Sequence, residues 1–307
     1  MSDLNAKERA EALHEEALTL EEAGETELAL QNYEAALLLD GRRSSTCYNI
    51  GLIYKYRNQW TESFRYNLRA QELAPGDEAV NWNLAIAATA LRDWATVRRI
   101  WAHLSLSIGE GSGPIEENFG ITPVRLNPDE NGEVVWGRRI DPVRVRILNI
   151  PFSGSGFRHG DVVLHDGAPV GYREYQGNEK PVFNVLELFQ PSLCNTYEMT
   201  VHIRDAKDLD DLKSICDELD IVCEDWTSSV RVLCRQCSEG RAHEQHDHDG
   251  EQAWRDKHYV AMAAPDDALI GQAVKRWQNA HRSAHELKCT LRAGVTMNFA
   301  NASGHRQ

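Results

Sequence analysis

The chain has 307 residues, of which 42% are hydrophobic and 26% are charged, a composition typical of soluble globular domains. Its formal net charge of −14 disfavours nucleic-acid binding, since such proteins neutralise phosphates with clustered Lys and Arg. The sequence contains no apolar run of about 18–20 residues, so it predicts no membrane contact. Its first residues also lack the apolar segment of a signal peptide. We therefore expect a cytoplasmic protein whose seven cysteines are reduced.

The first third of the chain has a period of 34 residues, and it aligns without gaps as segments 10–43, 44–77 and 78–111. Small residues recur at the eighth position of the period: Ala17, Gly51 and Ala85. A small side chain there allows two packed helices to approach closely. Pro75 is expected to end the second helix of the middle segment, because proline cannot continue the backbone hydrogen-bond ladder.

Segment 10–111 resembles three tetratricopeptide repeats and sets the first predicted domain at 1–111. The resemblance implies a curved helical array whose first helices line a concave face for a peptide or another protein. The predicted partner-binding positions on that face include Glu15, Tyr48, Asn49, Leu52, Tyr56, Trp82, Asn83 and Ile86. Asn49 and Asn83 occupy the sixth position of consecutive repeats, where an amide can bond a ligand backbone. The alternative for Tyr and Trp is packing in the repeat array itself.

This face offers mainly His14, Asn, Tyr and Trp side chains. Family members that clamp a C-terminal carboxylate carry Lys and Arg there. The difference argues against binding of a chaperone tail, and leaves another peptide or protein segment as the expected ligand.

Residues 112–132 are rich in Gly, Pro and Asn, which predicts a linker. A β-rich domain is expected at 133–192, where alternating or β-branched runs occupy 133–140, 143–150, 160–166 and 181–188. These runs favour a small antiparallel sheet or a partly closed barrel. The stretch ILNIPFSGSGFRHGDVV resembles a motif of a small bacterial β-domain family whose function is unknown.

Four residues near that stretch could supply acid–base chemistry: His159, Asp161, His165 and Asp166. The favoured interpretation is structural. In it, Gly160-Asp161 opens a strand and Asp166-Gly167 closes it with a turn.

An α+β domain is expected at 193–290, followed by a disordered tail at 291–307. Residues 196–204 alternate like a strand, and 205–220 place Leu209, Leu212 and Cys216 on one helical stripe. A strand at 258–264 and a helix with Pro265 in its first turn complete a β-α-β-β…β-α order. This order is compatible with a ferredoxin-like two-layer sandwich.

The predicted helix 205–220 carries seven acidic residues against Lys207 and Lys213. Its patch of Asp208, Asp210 and Asp211 could dock a basic partner. The alternative is an ordinary solvated helix face.

Within the α+β domain, CRQCSEGRAHEQHDHD predicts a zinc site with ligands Cys234, Cys237, His243 and His246, and His248 competes for the fourth place. Four protein ligands would close the site, so we expect a structural zinc that holds the loop. The alternatives are a solvated histidine loop and weak adventitious metal capture.

The predicted fold class is multidomain, an α array followed by α+β. Nothing in the sequence matches a nucleophile–base pair, a phosphate loop or a dinucleotide fingerprint, so we expect no enzyme. The architecture is similar to multidomain bacterial proteins encoded beside secreted toxins, which implies a basic toxin domain as the partner to be covered and neutralised. The alternatives are an adaptor for a protein complex, or a hydrolase or transferase that uses the β-rich domain.

Overall fold

The structure is a computed structural model that describes residues 3–130, 132–227, 256–279 and 282–294. The chain divides into two compact units, Met1–Glu117 and Asn118–Gln307. The first is built from helices and the second contains two β-sheets, which confirms the predicted succession of a helical part and an α/β part. Among the helices in these ranges, none combines the length and apolar character needed to cross a lipid bilayer.

The first unit consists of three helix hairpins. Its helices are α1 (Asp3–Glu22), α2 (Thr26–Leu39), α3 (Ser44–Tyr56), α4 (Trp60–Leu73), α5 (Glu78–Ala90) and α6 (Trp94–His103). The second helices of the hairpins begin 34 residues apart, so the period of the sequence is also the period of the structure. Helix α4 ends just before Pro75, as predicted.

Small residues bring the two helices of each hairpin together. Ala17, Gly51 and Ala85 are buried. A Cβ atom on Gly51 would lie only 2.6 Å from Nδ2 of Asn67 on the facing helix. Ser63 Oγ donates a 2.9 Å hydrogen bond to the Gly51 carbonyl oxygen across the same contact. The prediction of close approach at the eighth repeat position is therefore confirmed.

The residues after α6 fold back onto that helix. Arg98 donates through Nη1 to the Gly109 carbonyl oxygen at 2.7 Å and through Nε to that of Gly113 at 2.8 Å. The N-terminal end of the predicted linker is therefore attached to the helical unit.

The second unit begins with a closed five-stranded barrel in the order β1-β2-β3-β4-β5. Its strands are β1 (Ile121–Leu126), β2 (Glu133–Arg139), β3 (Arg144–Ile147), β4 (Val162–Tyr175) and β5 (Asn178–Gln190). Consecutive strands are antiparallel, and parallel pairing of β1 with β5 closes the barrel. The interior is apolar and contains Val124, Leu126, Val135, Val145, Ile147, Phe157, Val163 and Val185.

Two predictions for this region were wrong. Strand β1 lies inside the predicted linker 112–132, because pairing with β2 buries Val124 and Leu126 in the barrel. Strand β4 does not end at Asp166-Gly167. The pairing of β4 with β5 shifts register between Leu164 and Gly171, so Asp166-Gly167 lies within the strand at an irregularity. The chain turns instead at Gln176-Gly177, where both residues have positive φ.

In the described residues, the rest of the unit forms a four-stranded sheet with two helices. Its elements are β6 (Asn195–His202), α7 (Ala206–Glu218), β7 (Val222–Asp225), β8 (Lys257–Ala264), α8 (Asp267–Trp277) and β9 (Ser283–Leu291). The antiparallel strand order β7-β8-β6-β9 is that of a ferredoxin-like fold. Both helices pack on a core that includes Leu212, Met262 and Trp277.

Two details of this region differ from expectation. Pro265 lies outside α8, because the Asp266 side chain caps the helix by accepting from the Ala268 N–H at 2.8 Å. Strand β9 was not predicted, and it continues into the start of the expected tail at Leu291. The predicted domains 133–192 and 193–290 also fall within one compact unit.

Candidate functional site

The predicted partner-binding residues of the helical unit differ in exposure. Glu15 and Tyr56 are exposed, Tyr56 by 62%. Four others are partly exposed: Tyr48, Asn49, Leu52 and Trp82. The side chains of Asn83 and Ile86 are buried, with 7% and 1% exposure. Trp82 on α5 packs edge-on against Trp101 on α6 at 4.8 Å between ring centres, so for this side chain the structure shows the alternative of packing in the repeat.

Asn83 is hydrogen-bonded inside the array. Lys55 Nζ donates to its Oδ1 at 2.8 Å, and its Nδ2 donates to the Ala79 carbonyl oxygen at 2.9 Å. Lys55 is itself only 2% exposed. The sequence reasoning missed Lys55, although it occupies the twelfth repeat position, which belongs to the same predicted face.

Asn49 is held differently. Its Nδ2 donates to Tyr33 Oη at 3.1 Å, and that hydroxyl donates to Glu21 Oε2 at 2.5 Å. Burial, together with the nearby Glu21 carboxylate, raises the pKa of Tyr33, so the phenol keeps its proton. Within the described part of the chain, no donor reaches Asn49 Oδ1. The amide is thus fixed at its nitrogen end and can accept at its oxygen end.

His14 adds no positive charge to this face. Its ring lies 5.3 Å from Tyr33 and its Nδ1 is 2.9 Å from Thr46 Oγ1. Burial and the neighbouring Arg43 lower the pKa of His14, so the imidazole is neutral at pH 7. The neighbouring side chains Asn49, Leu52 and Tyr56 of α3 are also uncharged, and Tyr56 makes this surface partly aromatic.

The acidic patch of α7 is partly neutralised within the fold. Arg282 Nη1 lies 3.1 Å from Asp208 Oδ1 and 2.7 Å from Asp211 Oδ2. The Arg204 N–H donates to the Asp208 carboxylate and lowers the pKa of Asp208, and Arg282 adds to this effect. Of the three predicted docking residues, Asp210 is exposed, whereas Asp208 and Asp211 are partly buried.

The barrel residues considered for acid–base chemistry have structural contacts. The Asp161 carboxylate accepts from the Arg158 N–H at 2.8 Å and the Ser192 N–H at 2.7 Å, and burial raises its pKa. His159 Nδ1 lies 2.9 Å from the Leu148 carbonyl oxygen. These bonds hold the turn before β4 against the segment that enters β6.

His165 and Asp166 likewise contact backbone groups. His165 Nδ1 lies 2.7 Å from the Asp166 carbonyl oxygen, and the Asp166 carboxylate accepts from the Gly167 N–H at 2.7 Å. The imidazole is completely buried beside Phe183, and this burial lowers the pKa of His165 to about 3. His165 is therefore neutral at any physiological pH.

The stretch around Ile150 docks the barrel onto the sheet. Ile150 is fully buried in a cluster with Ala261 and Ala263 of β8. Glu224 of β7 accepts from Asn149 Nδ2 at 2.8 Å and from the Ile150 N–H at 3.2 Å. The motif singled out in the sequence therefore includes a contact segment between two sheets. Glu224 was missed, because its partners lie more than 70 positions away.

Phe152 extends this contact to the stem of the β7–β8 connection. Its ring packs edge-on against Trp226 at 4.7 Å between centres. The Trp226 N–H donates to the Tyr259 carbonyl oxygen at 2.8 Å, and the Tyr259 N–H donates to Thr227 Oγ1 at 2.7 Å. These bonds join the end of β7 to the start of β8, the two strands between which the Cys/His segment lies in the sequence.

A contact between a carboxylate and an imidazole lies beside the same stem. Asp225 Oδ2 is 2.9 Å from His258 Nδ1. Burial raises the pKa of Asp225, but hydrogen bonds from Thr227 and the contact with His258 outweigh it, so the pKa lies below its usual value. The Asp225 carboxylate is therefore ionised at neutral pH.

The predicted zinc ligands Cys234, Cys237, His243 and His246 lie outside the described residues. Within the described ranges, no three His, Cys, Asp or Glu side chains are grouped so as to hold a metal ion. Zinc therefore stays a prediction.

No protein-family model matches this chain, and no curated protein matches it significantly. The proposed function therefore depends on the contacts of the residues themselves.

Proposed function

We propose that the protein is a non-enzymatic protein-binding protein whose helical unit, of the tetratricopeptide type, binds an extended segment of its partner. The support is the 34-residue recurrence of the hairpins and the burial of small residues at the eighth repeat position. Such arrays present their first helices to ligands.

The observation that carries the proposal is the geometry of Asn49. Tyr33 fixes its Nδ2, which leaves Oδ1 to accept a backbone N–H from an extended peptide. Leu52 and Tyr56 follow at spacings of three and four residues on the same helix, so the three side chains form one stripe. Lys55 Nζ lies 4.4 Å from the centre of the Tyr56 ring and supports its position. The stripe offers a hydrogen-bond acceptor followed by apolar contact area.

The partner class that we propose is a basic toxin domain, which the protein would neutralise by covering it. The net charge of −14 favours a basic partner, and charge complementarity speeds association. A cytoplasmic adaptor for a protein complex is the second candidate, because the same stripe would serve it. A growth assay distinguishes the two candidate functions, since only a neutralising protein rescues cells that express the toxin.

The test is a binding measurement on a partner identified by affinity capture and then purified. Asn49→Ala and Tyr56→Ala should each weaken the complex at least tenfold, which corresponds to about 1.4 kcal/mol or more and exceeds the cost of less than about 1 kcal/mol at most interface residues. Leu38→Ala is the matched control, because Leu38 is 89% exposed but lies on α2, a second helix. Equal affinities for all three variants would refute the role of the α3 stripe.

We also propose that the Cys/His segment holds a structural zinc through Cys234, Cys237, His243 and His246. Metal analysis of untagged protein should find one zinc per chain, lost together with thermal stability in Cys234→Ser/Cys237→Ser. Zinc-free wild-type protein would refute the site, and zinc loss without a change in stability would favour a catalytic ion.

A further inference from the structure

Three sulfur atoms meet beneath helix α7. Cys216 Sγ lies 3.9 Å from Met262 Sδ of β8. Cys223 on β7 packs against the core cluster that contains Cys216 and Met262. Cys223 and Met262 are also direct partners in the β7–β8 ladder. Both cysteines are free thiols, so the three side chains form a reduced sulfur cluster.

We propose that Cys216, Cys223 and Met262 form a binding site for one Cu(I) ion. Two thiolates and a thioether are soft ligands, and soft sulfur sets favour Cu(I). Three sulfurs around a central ion at a metal–sulfur distance of about 2.3 Å lie about 4 Å from one another. The 3.9 Å separation of Cys216 Sγ and Met262 Sδ already has this value.

Each of the two thiols releases its proton to solvent as Cu(I) binds, because the metal ligand is the thiolate.

The residues around the three sulfurs favour Cu(I) over Cu(II). Cys216 and Met262 are fully buried within the apolar core beneath the helices. Cu(II) prefers nitrogen and oxygen ligands in tetragonal geometry, which this core does not provide. Cys223 is partly exposed and lies on β7, the edge strand among those that the structure describes, so the ion reaches the sulfurs from that side.

Cys289 provides an internal comparison. It packs against the same core from β9, but its Sγ lies 4.0 Å from the Leu291 carbonyl oxygen. Its thiol is therefore a matched control for a partly buried cysteine outside the cluster.

The experiment uses the full chain carrying Cys234→Ser and Cys237→Ser, which removes the thiol pair of the Cys/His segment. The reduced protein is titrated anaerobically with Cu(I) in competition with bicinchoninate. One ion per chain is expected. In this background Cys223→Ser should reduce affinity by more than about 100-fold, beyond what disturbing an outer-shell partner costs. Cys289→Ser should leave the affinity unchanged.

Met262→Leu separates ligation from folding, because Leu nearly conserves the volume of Met and keeps the core packed. This variant should keep the circular-dichroism spectrum of the parent and bind Cu(I) more weakly. Absence of stoichiometric Cu(I) in the parent background would overturn the proposal, as would equal affinity of the Cys223→Ser and Cys289→Ser proteins. The site is independent of the proposed partner binding, so failure of one leaves the other standing.

Discussion

Asn149 in the barrel donates its Nδ2 hydrogen to Glu224 on strand β7, across 2.8 Å and 75 positions of sequence. The same carboxylate accepts the Ile150 N–H. This pair therefore connects the barrel to β7, the strand that precedes the Cys/His segment in the sequence. The position of that strand thus depends on barrel residues.

Replacing Glu224 by Ala should loosen this contact. Hydrogen bonds to a charged group contribute about 1.5–3 kcal/mol, and the Ile150 N–H would lose its acceptor. We expect faster amide hydrogen exchange in β7 and around Ile150, with the helical unit unaffected. Glu218→Ala is the control, because its ion pair with Arg276 is largely exposed and such pairs contribute about 0–1 kcal/mol. Equal exchange in both variants would contradict the role of Glu224.

Gly51→Ala should destabilise the helical unit. Its new Cβ would lie 2.6 Å from Asn67 Nδ2, and Asn67 is buried and bonded to the Ser63 carbonyl oxygen. Overpacking costs about 1–3 kcal/mol, which exceeds the gain of up to about 1 kcal/mol from Ala in a helix. Gly271→Ala in α8 is the control, since nothing lies within 4 Å of its new Cβ. Thermal unfolding should show a lower Tm for the first variant and an equal or higher Tm for the second.

His165 should make the barrel sensitive to acid. Its folded pKa is lowered to about 3, so between about 3 and 6.5 the unfolded chain binds more protons and stability falls as the pH falls. At pH 5 the loss relative to pH 8 should be about 2 kcal/mol, because an exposed His has a pKa near 6.5. His165→Leu should remove this part of the pH dependence of urea unfolding. An unchanged slope would mean that other groups cause it.

Asp208→Asn should lower stability more than Asp210→Asn. Asp208 accepts from the Arg204 N–H and pairs with Arg282, whereas Asp210 is exposed. Since the folded pKa of Asp208 is lowered, its contribution is present above the usual pKa near 3.8 and disappears as the pH falls through the folded value. Thermal melts of the two variants at pH 7 should therefore differ, and the difference should shrink as the pH is lowered below about 3.8. Loss of partner affinity is expected mainly from Asp210→Asn.

The helical unit could be read from the sequence because its contacts are local. Each repeat packs on its neighbours, so the 34-residue period places Ala17, Gly51 and Ala85 in equivalent buried positions. The exposure of the individual side chains could not be predicted from the repeat period. Asn49 and Asn83 share one repeat position, yet Asn83 is bonded to Lys55, which comes from a different helix.

In the second unit the sequence by itself determined the helix α7 and the strands β6 and β8, whose apolar periodicity is carried by consecutive residues. Only the tertiary structure decided that a Gly- and Pro-rich segment supplies β1, and that Glu224 meets Asn149. It also decided that Cys216, Cys223 and Met262 lie together. These relationships join residues distant in sequence, and their energy comes from pairing and burial that exist only once the sheets have formed.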